Sequence, residues 1–174
     1  MSKEKNRICL KNVRLSFPSL FHKAVFKGVE GKYEGTFLIP KKDVKLKKEL
    51  DARIEEVLAE AKLKIKSENI CLKDGDDSDL EGYEGNWSLK ASNKKRPLIV
   101  DADKTPLTED DDKIYAGCYV NAVIDFWVQN NSFGKRLNAN LYGVQFVKDG
   151  ERFGNAGPSS DDIVDDFDDI SSEL

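Results

Sequence analysis

The sequence is poor in the residues from which most catalytic and metal-binding sites are built. It has one histidine, His22, and three cysteines, Cys9, Cys71 and Cys118, far apart and with no CxxC pair. This argues against a disulfide framework and against a Cys/His zinc site. It fits reduced, partly buried thiols in a cytosolic protein. No run of 18 apolar residues occurs, so no membrane-spanning helix is expected. Met1 to Arg7 is polar and lacks the apolar region of a secretory signal. A Walker A loop, an HExxH pair and a GxSxG elbow are absent as well. No cofactor is expected, and the chain does not read as an enzyme.

What is present is a soluble, one-domain composition. Of 174 residues, 39% are hydrophobic and 34% charged, enough apolar material for a core and too much for a disordered chain. The net charge of −4 hides an asymmetry. Residues 159–174 hold seven acids and no base, which leaves 25 acids against 28 bases in 1–158. A mildly basic body with an acidic tail points to nucleic acid more than the overall charge does.

The body is rich in strand patterns. Arg7 to Phe17 changes parity from Ile8 and Leu10 to Val13, Leu15 and Phe17, which predicts a bulge near Lys11–Asn12. Pro18 to Phe21 reads as a turn, Phe26 to Lys32 as a loop, and Tyr33 to Ile39 as a strand closed by Pro40. Trp87 to Ala91 and Leu98 to Val100 are shorter strands. From Ile114 to Val128 every second residue is apolar, the clearest strand signal in the chain. Asn130–Gly134 reads as a hairpin loop. Leu137 to Val147 returns, with a parity shift across Gly143 that predicts another bulge.

One helix is expected, Asp43 to Lys66, with an apolar stripe of Leu46, Leu50, Ile54, Val57, Leu58, Ala61 and Ile65. Asp43 can cap it. Lys41, Lys42, Lys45, Lys47 and Lys48 oppose the dipole at its start, and read either as a phosphate-attracting patch or as a solvated face. Residues 73–86 and 101–112 are polar loops. Asp74, Asp76 and Ser78 imitate the start of a calcium loop, but Asp79 stands where the glycine is needed. Long bent strands with one helix make a mainly β, α+β chain. The expected fold is an OB-fold, a five-stranded, partly open Greek-key barrel with helical and loop insertions.

The candidate site is the polar face of the longest strand and its partner. It carries Tyr115, Tyr119, Asn121, Asp125 and Trp127, opposite Asn138, Asn140 and Tyr142, with Lys135 and Arg136 at the turn. Aromatics supply π-faces on which any base can stack, and cations neutralise phosphates. Trp87 with Lys94, Lys95 and Arg96 extends the expected track. The same aromatics also fit a second core face under the helix stripe or a dimer interface.

The tail is a separate element. Asp161, Asp162, Asp165, Asp166, Asp168 and Asp169 surround Ile163, Val164, Phe167 and Ile170, too few apolar residues to order it when free. Such a segment suits a basic, apolar groove on a partner, or the chain's own basic groove.

These residues resemble a family. RLSFPSLF (14–21), KYEGTFLIPK (32–41), LKDGD (72–76), YEGNWSLKAS (83–92), IYAGCYVNAVIDFW (114–127) and LYGVQFVKDGERFG (141–154), in that order, are similar to phage single-stranded DNA-binding proteins. The resemblance implies an OB-fold domain at 1–158 and a disordered acidic tail at 159–174. It implies a non-catalytic protein that coats single-stranded DNA during phage replication or recombination, in the cytoplasm of the bacterial host. It further implies a tail that recruits replication or recombination proteins. Family tails often end in an aromatic or apolar residue behind the acids, whereas here Phe167 is internal. Duplex DNA and RNA stay open as ligands, and a homodimer is expected to cover strand edges. Two other readings compete. One is an acidic-tailed interaction module that mimics DNA or inhibits a host enzyme. The other is a metal-dependent nuclease using Asp74, Asp76, Asp77, Asp101 and Asp103.

Overall fold

The computed structural model describes residues 7–153 and 160–173. Its centre is a closed five-stranded barrel of β1 (Ile8–Ser19), β4 (Tyr33–Pro40), β6 (Asn86–Asn93), β9 (Gly134–Lys148) and β8 (Tyr119–Asn131). Neighbours run antiparallel around the ring, from β6 through β4, β1 and β8 to β9. The ring closes where β6 and β9 lie parallel, at Ser92 opposite Asn140. That closure, with helical and loop insertions, is the expected OB architecture. Where β6 and β9 splay apart, residues 70–74 fill the seam. The Cys71 N–H donates to the Leu137 carbonyl, and β5 (Leu72–Asp74) pairs with β6. β7 (Leu98–Val100) pairs with β9 farther along the same edge, at Gly143–Gln145.

Both expected bulges are present. The register of β1 against β8 shifts between Leu10 and Val13, with Asn12 at φ 54°. On β9, Val123 faces Gly143 and Ile124 faces Leu141, so Tyr142 is the extra residue. The bulges bend long strands enough to close the barrel, and they keep one apolar row inward on each side of the kink. Ile8, Leu10, Val13, Leu15, Val120, Ala122, Ile124, Leu137, Ala139, Leu141 and Val144 all join a single buried cluster.

α1 (Val44–Ala61) adds Leu46, Leu50 and Ile54 to that same cluster. Its stripe therefore packs into the barrel interior and does not cover the outer aromatic face. Truncating Leu50 in this setting costs roughly 2–5 kcal/mol. The Asp43 side chain accepts from the Leu46 N–H at 3.2 Å, as a cap does. The helix ends five residues earlier than the periodicity predicts. Lys62 turns left-handed at φ 55°, and the Leu63 N–H returns to the Leu58 carbonyl, which closes the last turn.

Four further expectations need correction. The strand expected from Ile114 starts at Tyr119, because Gly117 takes φ +110° with Glu151 packed against it. Phe17 leaves the inner row and is exposed. The loop after Phe21 contains a hairpin, β2 (Val25–Phe26) and β3 (Val29–Glu30), turning through Lys27 and Gly28 at positive φ. The acidic stretch 73–86 contributes the end of β5. In the tail, α2 (Ser160–Asp166) is a seven-residue helix, and Ile163, Val164, Phe167 and Ile170 are exposed.

Candidate nucleic-acid interface

The outward residues of β8 and β9 face each other in pairs: Trp127 with Asn138, Asp125 with Asn140, Asn121 with Gln145. Trp127 lines a groove of about 510 Å³ that crosses the outer wall of the barrel. Thr36, Ser88, Lys90 and Ser92 of β4 and β6 form one side. Gln129, Arg136 and Asn138 of the β8–β9 arm form the other, with Glu68 and Lys73 nearby and Lys32 above. The Lys32 Nζ stands 5.7 Å from the Trp127 ring centroid. Since Lys32 follows β3 closely and Trp127 lies near the end of β8, the bases of the two hairpin arms meet over this groove. Four cations line it against one carboxylate, Glu68.

The polar groups are held in place. The Asn138 amide donates to Gln129 Oε1 at 3.0 Å. Lys90 pairs with Glu34 at 3.1 Å while staying largely exposed, so its ammonium is available to an incoming phosphate. Next to the groove, Tyr142 Oη donates to Asp125 Oδ2 at 2.7 Å, and the Asn140 amide donates to Asp125 Oδ1 at 3.0 Å. Burial, and then this bond to Asp125, push the Tyr142 hydroxyl above its ordinary pKa, so it remains a neutral donor. A flat π-face among cations can stack a base and neutralise its phosphates without reading a sequence.

The structure gathers some of the expected site residues and separates others. Trp127 and Arg136 are in the groove, and Lys135 is exposed beside it on the arm. Lys94 and Lys95 follow Ser92 at one end and are exposed, while Arg96 donates to the Phe21 carbonyl at 2.5 Å. Trp87 is not part of this set. It shares the inward parity of Leu89 and Ala91, packs against the core, and lies under Lys41 and Lys47, 4.7 and 4.3 Å from its ring. Lys94 is about 23 Å farther along the strand at ~3.3 Å per residue.

Tyr115, Tyr119 and Asn121 make structural contacts in the structure. Tyr115 Oη donates to Asp149 at 2.8 Å and accepts from the Gly150 N–H at 3.1 Å, with Arg152 over its ring. Tyr119 lies between Arg14 and Lys148, 5.7 and 4.8 Å from its ring. Arg14 in turn stacks on Phe153 at 4.0 Å and donates to the carbonyls of Gly117 and Glu151. This layer ties the chain around residue 150 to the barrel. Asn121 supports the β1 bulge.

Lys32, Lys73 and Lys90 escaped the sequence reading. For Lys90 a signal existed: it shares outward parity with Ser88 and Ser92. Phe133 escaped too. It sits at the turn between β8 and β9 and is 84% exposed, the most exposed large apolar residue described. Of the tail residues expected to meet partners, Asp165, Asp166, Phe167, Asp168 and Asp169 are exposed. The side chains of Asp161 and Asp162 lie outside the described residues.

Of the five loop carboxylates considered for metal, Asp74, Asp76 and Asp101 are engaged with lysines, and Asp103 accepts from the Thr105 N–H. Lys41 Nζ lies 2.6 Å from Asp74 and 2.5 Å from Asp76, and Lys113 lies 2.5 Å from Asp101. Among the described residues no three His, Cys, Asp or Glu side chains cluster as metal ligands. Of the basic residues at the start of α1, Lys41 and Lys47 are paired with acids, and Lys42, Lys45 and Lys48 are exposed. No described helix is long and apolar enough to cross a membrane.

Residues 6–173 match the family model described as the ssDNA-binding protein of Enterobacter phage Enc34. Protein p50 of Acyrthosiphon pisum secondary endosymbiont phage 1 is 42% identical over 95% of this chain and 94% of its own. The single-stranded DNA-binding protein from bacteriophage Enc34, solved in complex with ssDNA, is 37% identical with a TM-score of 0.81. That match covers 87% of this chain and 91% of the other. Protein gp2.5 of bacteriophage T7, also a single-stranded DNA-binding protein, shares the fold at a TM-score of 0.60. It is 13% identical, over 92% of this chain and all of the other. The chain belongs to the Enc34 phage ssDNA-binding protein family, which is defined by binding and not by a catalysed reaction.

Proposed function

We propose that this chain binds single-stranded DNA without sequence preference and coats it in the phage-infected cell, during replication or recombination. The strand lies in the groove between the β2–β3 and β8–β9 arms. One base stacks on Trp127, and Lys32, Lys73, Lys90 and Arg136 meet the phosphates. Lys135, Lys94 and Lys95 continue the positive field at the ends. The observation that carries this reading is Trp127 set among four cations, on the outer wall of a barrel whose family binds ssDNA.

Residues 1–158 are the binding domain and 159–174 a separate acidic element. With seven acids and exposed Ile163, Phe167 and Ile170, the tail suits either a basic groove on a replication partner or this chain's own groove. Both uses follow from the same charge and apolar spacing.

Fluorescence anisotropy of a labelled poly-thymidine oligonucleotide, in low and moderate salt, tests the function. Duplex and RNA serve as competitors, with and without residues 159–174. Binding that weakens with salt, and that duplex competes for poorly, is the expected result. Binding that strengthens on truncation makes the tail a competitor for the groove, and unchanged binding assigns it to outside partners. No binding in either form overturns the reading.

A further inference from the structure

The alternation of β1 would place Phe17 in the inner row after Val13 and Leu15. Instead its backbone takes φ +46°, the register against β4 breaks between Ser16 and Ser19, and the side chain is 59% exposed. A bulky L-residue rarely adopts the left-handed region, which crowds its Cβ. An aromatic that stays mostly in water gains little burial to offset that. Its neighbours hold it there. Ser16 is buried, with Tyr83 Oη donating to its hydroxyl at 3.1 Å, and Pro18 restricts the other side. Strain kept for an exposed side chain is a mark of function more than of packing.

The place is informative. Ser16 pairs with Thr36, and both Thr36 and its neighbour Tyr83 line the groove that holds Trp127. Pro18 and Ser19, on the other side, border a second hollow of about 380 Å³ whose charges are mixed, Lys23 against Glu109 and Asp112. Phe17 joins Ser16, paired beside the groove, to Pro18 on the rim of this hollow, and so belongs to the ridge of chain that parts them.

We infer that Phe17 is a second base-stacking residue, which receives the last ordered base as the strand leaves the groove past Thr36. This rests on the single-stranded DNA reading above. The ligand is the π-face of any nucleotide base. The acids beyond the ridge stop the track there.

The test compares Phe17→Asn, Phe17→Ala and Phe17→Tyr with Trp127→Ala, all in the full chain, for affinity to a poly-thymidine oligonucleotide and for Tm. Phe17→Asn and Phe17→Ala are expected to weaken binding about 5- to 150-fold, the value of one stacked base. Phe17→Tyr should bind like the parent. Asn tolerates the left-handed backbone, so the Tm of Phe17→Asn should stay level or rise by up to about 4 °C. Parental affinity in Phe17→Asn, while Trp127→Ala is weakened, overturns the assignment and leaves the groove standing. A Tm drop of more than about 4 °C in Phe17→Asn makes the ring a packing residue and also overturns it. If the parent chain itself fails to bind, the single-stranded DNA reading falls first.

Discussion

The backbone N–H of Asn12 donates to Asn121 Oδ1 at 2.8 Å, across 109 residues of sequence. Asn12 is the left-handed residue of the β1 bulge, so its N–H has left the ladder. Asn121 supplies the missing acceptor from β8 and uses its amide to reach Gln145 at 2.9 Å. An asparagine on the outer face of β8 thus closes the barrel at its kink. Asn121→Ala should cost about 1–2 kcal/mol, for two partly exposed hydrogen bonds. The affinity of the folded variant for single strands should be unchanged. Urea titration together with anisotropy checks both.

Acid stability should depend on Lys41. Its hydrogen bond holds Asp74 below the ordinary carboxylate value. Asp76 is held low first by the Gly85 N–H and then by Lys41. Carboxyls with depressed pKa values contribute stability above their unfolded pKa, near 3.8, and lose it as pH falls through their lower folded values. The parent chain should therefore lose Tm steeply below about pH 4. Lys41→Met should start lower at neutral pH and fall less steeply in that window. Thermal melts from pH 7 to pH 2.5 decide it. Parallel curves would assign the acid limb to other groups.

The thiols should separate by burial. Burial pushes Cys71 up to about 12 and also raises Cys118, while Cys9, raised too, is exposed on β1. Thiolate, not thiol, is the reacting species. A disulfide reagent at pH 8 should label one cysteine slowly in the folded protein, Cys9, and all three in denaturant. Peptide mapping identifies the site.

Much of the fold is legible because it is local. The bulge at Lys11–Asn12 and the one at Gly143 are written in parity shifts, and the cap at Asp43 in the residue before the apolar stripe. The site is less legible, because a groove is made by strands distant in sequence. Lys32, Lys90 and Trp127 meet only when β4, β6 and β8 close into a ring, and no spacing announces that. Two misreadings had local signals. Trp87 shares parity with Leu89 and Ala91, which marks it as inward. Gly117 stands within the long alternation at φ +110°, where a Cβ would lie 2.1 Å from the Glu151 carbonyl oxygen, and that left-handed backbone ends the strand before Tyr115. Phe17 had none, since a bulge beside Pro18 reverses a side chain without disturbing the apolar pattern.

Stacking and charge in the groove should separate by salt. Each lysine that meets a phosphate releases counterions from the strand, so its loss flattens the dependence of log affinity on log salt by about 0.7. Lys32→Met and Lys90→Met should each show that change. Stacking releases no counterion, so Trp127→Ala should lower affinity by about 1–3 kcal/mol at every salt concentration and keep the parental slope. Lys90 adds a refinement, because Glu34 pairs with it at 3.1 Å and competes with the phosphate. Glu34→Gln should therefore raise affinity, most at low salt, where the freed ammonium is least screened. Titrations at four salt concentrations give both slope and intercept. A flattened slope in Trp127→Ala, or a parental slope in Lys90→Met, would move the strand off this wall of the barrel.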